Sequence, residues 1–258
     1  MSAESVALTA ARLGAGDGPP LVIAHGLFGS ARNWGALSKA LAEERRVIAV
    51  DMRNHGRSPR SADHSYAAMA EDLAAMIEAE GGEADLLGHS MGGKAAMALA
   101  LTRPELVRRL VVVDIAPRAY DHAPSQERLI AAMRGLDLAA VTRRSEADAA
   151  LEEEIPGRRI RAFLLQSLDV AERRWDLNLP VLADAMEAIT GWPAPEGRFD
   201  GPALFLHGGA SDYLAPEDVP EIRRLFPAAR IEAIEGAGHW LHAERPRDVE
   251  AVVRAFLA

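Results

Sequence analysis

The chain has 258 residues, 49% of them apolar and 26% charged, with a net charge of −9 and no cysteine. That length allows one large domain with a substantial core, and the acidic balance argues against a nucleic-acid or anionic-membrane surface. The lack of cysteine removes disulfides, thiolate metal sites and a cysteine nucleophile.

The first ten residues, MSAESVALTA, have no basic start and no long apolar run, so no secretory signal is expected there. No stretch approaches the roughly 18 continuous apolar residues of a membrane span. The expectation is a cytoplasmic protein, a monomer or small homo-oligomer.

In chain order, residues 21–25 are apolar and bounded by Pro19-Pro20 and Gly26, which predicts a buried strand. Residues 46–51, 84–88 and 110–114 repeat that pattern, and helical stretches are predicted over 31–43, 66–79 and 91–101. Strands alternating with helices through short links imply a parallel sheet with right-handed crossovers. Ligands then bind beyond the carboxyl ends of the strands.

From about residue 116 to 191 the strand rhythm stops. Apolar residues there keep helical spacing, as in Leu129, Ile130, Met133 and Leu136 or Phe163, Leu164, Leu165 and Leu168. Strands are predicted again over 203–207 and 230–234, and a closing helix over 249–257. An all-helical insertion between two pieces of an α/β core reads as a cap. The division expected is a core of residues 1–117 and 192–258 with a cap of 118–191.

Gly88-His89-Ser90-Met91-Gly92 matches the pattern G-x-S-x-G, follows a predicted strand and opens a predicted helix, as a nucleophile elbow does. Ser90 is the expected nucleophile. The developing oxyanion needs donors; the backbone N–H of Met91 and of Leu27, in His25-Gly26-Leu27-Phe28-Gly29, are the ones expected. The base must come late in the chain; His239 in Gly236-Ala237-Gly238-His239-Trp240 sits at a Gly-rich loop tip and is the expected base, with His242 as the near-neighbour alternative. A metal reading of His239, His242 and Glu244 has no supporting cluster, so no metal or cofactor is expected. His25, His55, His89 and His207 read as hydrogen-bonded structural histidines.

Two carboxylates compete to orient the base. Asp212 lies in Gly208-Gly209-Ala210-Ser211-Asp212-Tyr213 and is the acid if a G-x-x-D register begins at Gly209; if it begins at Gly208, that slot holds Ser211. Asp114 closes the strand over 110–114, where a carboxylate needs a buried partner.

The segments His25–Trp34, Asp51–Pro59, Gly88–Lys94, Val113–Pro117 and Gly236–Pro246, in that order, resemble the YbfF-type bacterial esterases of the α/β-hydrolase superfamily. The resemblance implies a mostly parallel sheet flanked by helices, a shortened N-terminal hairpin and a helical cap inserted after the sixth strand. It also implies Ser90 as nucleophile, His239 as base, Leu27 and Met91 as oxyanion donors, and Asp114 in preference to Asp212 as acid. Asp51, Arg53, Asn54 and His55 then form a hydrogen-bond network behind the oxyanion loop. Phe28, Trp34, His89, Tyr213 and Trp240 are expected at the substrate pocket.

The activity implied is cofactor-free cleavage of small to medium acyl esters, or thioesters, through an acyl-enzyme. C–C bond hydrolases, cofactor-free haloperoxidases and non-catalytic ligand-binding members share the same residues and remain alternatives.

Overall fold

The computed structural model describes residues 4–258. Five strands come first: β1 (Ala10–Leu13), β2 (Leu21–Ala24), β3 (Val47–Val50), β4 (Ala84–His89) and β5 (Val107–Val113). A short ribbon of β6 (Leu168–Asp169) and β7 (Arg174–Trp175) follows, then β8 (Ala203–Gly208) and β9 (Ala229–Ile234). The main sheet has seven strands in the order β1-β3-β2-β4-β5-β8-β9. Only β1 runs antiparallel to its neighbour; the other pairings are parallel.

The predicted strands are present within one to three residues at each end. β2, β3 and β4 are buried along their whole length, which is why they read as continuous apolar runs rather than alternating ones. β1 went unread because its four residues, Ala-Ala-Arg-Leu, are mostly exposed on a sheet edge.

Helices cover both faces: α1 (Gly35–Leu41), α2 (Tyr66–Ala79) and α3 (Met91–Thr102) lie between the early strands. α2 and α3 pack Leu73, Ile77, Met97 and Leu99 into a core with Val22, Leu86 and Val112. On the opposite face, α1 packs with the last helix around Leu21, Ile23, Leu87 and Val111. Each such side chain, once fully buried, contributes about 1.5–3 kcal/mol.

Between β5 and β8 the chain forms α4 (Ala123–Gly135), α5 (Arg144–Ala150), α6 (Arg158–Leu164), α7 (Leu179–Asp184) and α8 (Met186–Thr190). α9 (Val219–Leu225), α10 (Leu241–Glu244) and α11 (Pro246–Leu257) follow.

Two expectations need correction. The insertion follows the fifth strand of the described chain, not the sixth, because the antiparallel N-terminal element is the single strand β1 rather than a hairpin. Nor is the insertion all helical: the spacing of Phe163, Leu164, Leu165 and Leu168 spans the end of α6, a 3₁₀ turn and the start of β6. The β6–β7 ribbon is held to α4 by Trp175, whose Nε1–H donates to the Met133 carbonyl at 2.9 Å.

Candidate active site

Ser90 occupies the sharp turn between β4 and α3 with φ 51° and ψ −117°, a conformation costly for a residue with a side chain. The surrounding backbone is packed to hold it. A Cβ on Gly88 would stand 2.2 Å from the Gly92 carbonyl oxygen, and one on Gly92 would stand 2.5 Å from the carbonyl oxygens of Ala24 and His25. Ser90 N–H donates to the Val113 carbonyl at 3.0 Å, so the turn is tied to β5.

Asp114 follows β5 directly, is fully buried and also has a positive φ of 51°. Its Oδ1 accepts the Gly208 N–H at 2.8 Å, and its Oδ2 accepts the Ser211 hydroxyl at 2.5 Å. The same Oδ2 lies 2.7 Å from Nδ1 of His239, which leaves Nε2 as the uncommitted ring nitrogen. Asp212 is exposed, and only its backbone carbonyl is engaged, by Arg118 at 3.3 Å.

Two rings hold the His239 loop. Tyr213 stacks on the His239 imidazole with centroids 3.8 Å apart. His89 Nε2 lies 3.0 Å from the His239 carbonyl. Burial, reinforced by His239 and His242, pushes the His89 pKa well down, so the ring is neutral and its Nε2–H donates.

The 25–29 turn faces Ser90, and histidines support it from behind. Gly29 N–H donates to the Gly26 carbonyl at 3.0 Å. Phe28, at φ 63°, donates its N–H to His55 Nε2 at 3.2 Å. Met52 N–H donates to His25 Nε2 at 2.9 Å. Both acceptors must be neutral, and burial pushes His25 down to about 4 and His55 down to about 3. Met91 is the first residue of α3, where a backbone N–H has no intrahelical acceptor.

The network behind this turn contains the residues expected of it. Asp51 accepts the N–H groups of Ala31 and Arg57 at 2.8 and 2.9 Å. Arg53 makes a fully buried ion pair with Asp72, and Asn54 Oδ1 accepts from Ser61 N–H and Asn178 Nδ2. Sequence reasoning passed over His64, which lies 3.2 Å from Asn54 Nδ2.

Ser90 and His239 line one cavity of about 380 Å³, together with Leu27 and Met91. Phe28, Trp34, His89, Tyr213 and Trp240, the five expected pocket residues, line it as well. No group of His, Asp or Glu able to hold a metal ion occurs among the described residues.

Residues 19–246 match the family model described as the α/β hydrolase fold. The chain belongs to the α/β-hydrolase family. Among relatives of this hydrolase, the sn-1-specific diacylglycerol lipase ABHD11 of Mus musculus is 44% identical, over 93% of this chain and 81% of its own. Esterase YbfF of Escherichia coli (strain K12) is 39% identical over 92% of both. A solved structure described as a marine microorganism esterase superposes with a TM-score of 0.93 at 36% identity, covering 97% of this chain and 99% of that one. Within the α/β hydrolases, this chain is YbfF-like.

Lys94 is the pocket residue of this hydrolase that the motif reading passed over. It stands one turn along α3 from Ser90, lines the cavity and is almost fully buried. Its ammonium donates to the carbonyls of Thr190 and Gly191 at 2.9 and 2.5 Å, at the carboxyl end of α8. Its Nζ also lies 4.8 Å from the centroid of the Tyr120 ring. Burial, helped by Arg118, brings its pKa down to about 7. The only sequence signal for it was position: i+4 from the elbow serine lies on the same helix face.

Proposed function

We propose that this chain is a serine hydrolase of carboxylic esters in which Ser90, His239 and Asp114 act as a triad. The observation that carries the reading is the 2.7 Å approach of Asp114 to His239 at the cavity that Ser90 lines. The esterase and lipase relatives at 39% and 44% identity support ester cleavage.

Asp114 holds the imidazole with its proton on Nδ1, leaving Nε2 to take the proton of the Ser90 hydroxyl. The alkoxide attacks the acyl carbon, and the oxyanion accepts the N–H groups of Leu27 and Met91. His239 then protonates the departing alcohol, and water deacylates the enzyme through the same imidazole. Ser211 takes the slot of the G-x-x-D register counted from Gly208, and its hydroxyl on Asp114 supports Asp114 as the acid.

Residues 118–191 form a cap that shapes the acyl site: Ile160 and Phe163 of α6 and Ile189 of α8 supply apolar wall. That wall suits a small to medium acyl chain. No helix of the described residues is long and apolar enough to cross a membrane, and the reading is of a cytoplasmic enzyme that needs no cofactor.

Fluorophosphonate labelling tests the nucleophile. Wild type should label and Ser90→Ala should not; labelling of the variant at the wild-type rate refutes the assignment. Multiple turnovers on p-nitrophenyl butyrate separate an enzyme from a ligand-binding protein, which would give at most one burst.

A further inference from the structure

Helix α6 is a wall shared by two hollows. Its Ile160, Phe163 and Leu164 line the Ser90 cavity, while Arg158, Ala162 and the adjoining Leu165 line a second cleft of about 490 Å³. The turn over Ala31–Trp34 is shared in the same way, with Asn33 and Trp34 at the first hollow and Arg32 at the second. The two meet where Asn33 Nδ2 donates to Gln166 Oε1 at 2.8 Å.

The second cleft collects Arg32, Arg144 and Arg158. Arg144 is anchored, donating to the carbonyls of Leu165 and Leu168 at 3.0 Å each. Among the described residues, none of the three pairs with a carboxylate. Asp148 is the one carboxylate lining the cleft, and Arg161 already engages it at 2.8 Å. In a chain of net charge −9, this is a local excess of guanidinium in a cleft that shares the α6 wall with the Ser90 cavity. Guanidinium groups match phosphate oxygens in charge and in fork geometry.

We propose that this cleft is a subsite for a phosphate group carried on the alcohol or thiol side of the substrate. With the acyl chain in the Ser90 cavity, the leaving group passes the Asn33–Gln166 contact and places its phosphate among Arg32, Arg144 and Arg158. The placement of the leaving group rests on the ester-hydrolase reading; the affinity of the cleft for phosphate does not.

The experiment compares S-butyryl-pantetheine with S-butyryl-4′-phosphopantetheine, which differ by one phosphate, on wild type and on an Arg32→Gln, Arg158→Gln double variant. Wild type should favour the phosphorylated thioester in kcat/KM by about tenfold, less at raised salt, and the ratio should fall towards one in the double variant. A wild-type ratio near one, or a preference that survives in the double variant, overturns the subsite. A parallel arm with dioctanoyl phosphatidate and dioctanoylglycerol in mixed micelles shows whether a lipid phosphate serves as well as a soluble one.

If no ester is turned over, the ester-hydrolase reading fails alone, and inorganic pyrophosphate judges the cleft. A rise in wild-type Tm that the double variant lacks supports the subsite, and an equal or absent rise refutes it.

Discussion

Asp114 and His239 stand 125 residues apart in the chain, and their side chains meet at 2.7 Å with Asp114 fully buried and His239 partly exposed. A buried carboxylate in that position fixes the imidazole tautomer and stabilises its protonated form. Asp114→Asn should therefore lower kcat on p-nitrophenyl butyrate by about four orders of magnitude. Asp212→Asn should retain most of it, since that side chain is exposed. The opposite ranking would transfer the acid role to Asp212.

Ser211 shares Oδ2 of Asp114 with His239. Ser211→Ala removes one hydrogen bond to a charged group, an effect of about 1.5–3 kcal/mol, so kcat should fall roughly 10- to 100-fold with little change in KM. A change confined to KM would mean that Ser211 touches substrate rather than the acid.

Gly92 packs against the carbonyl oxygens of Ala24 and His25 with no room for a methyl group. Gly92→Ala must push α3 away from β2 or displace the elbow, at a cost of about 1–3 kcal/mol. A fall in Tm together with lost fluorophosphonate labelling is expected. Unchanged labelling would show that the elbow tolerates the shift.

The pH response of stability should expose the histidines behind the oxyanion turn. In the folded chain His25 and His55 take protons only near 4 and 3, whereas free imidazole does so near 6.5. The unfolded chain therefore binds more protons across that window. Their contribution is complete above about 6.5 and is lost as the pH falls towards 4 and 3. Urea unfolding followed against pH should show this slope, and His55→Phe should flatten it. The same variant leaves Phe28 N–H without its acceptor and should lower kcat more than it raises KM.

Lys94 ties the nucleophile helix to the end of α8. Lys94→Met deprives two carbonyls of their donor, and the expected loss of stability is about 1–3 kcal/mol, read by denaturant unfolding. Unchanged stability would mean that water replaces the ammonium at no cost.

Much of this site was legible in the sequence because its parts are local. The elbow is five consecutive residues whose glycines answer to backbone clashes, and His239 follows a run of small residues after the last strand. The choice of acid was not local. Whether the late turn counts from Gly208 or Gly209 depends on where β8 ends, and the Gly208 N–H bond to Asp114 is visible only in three dimensions. β1 was missed because an exposed edge carries no apolar signal. The β6–β7 ribbon was missed because four leucine and phenylalanine residues have the same spacing in a helix end as in the turn and strand that replace it. The arginine cleft draws on Arg32 and on residues 144–166, so no window of sequence contains it.

The bond from Ser90 N–H to the Val113 carbonyl has a consequence for how the site moves. Asp114, the next residue, donates its own N–H to the Leu206 carbonyl, and Gly208 N–H returns to the Asp114 carboxylate. Serine and aspartate are thus both tied to the end of β5, Ser90 from the β4 side and Asp114 through its bonds to β8, so a displacement of that strand end carries both together. His239 sits on a loop outside those strands. Any change in the distance from Ser90 to the imidazole accordingly falls on a single loop, which the Tyr213 stack and the His89 contact restrain.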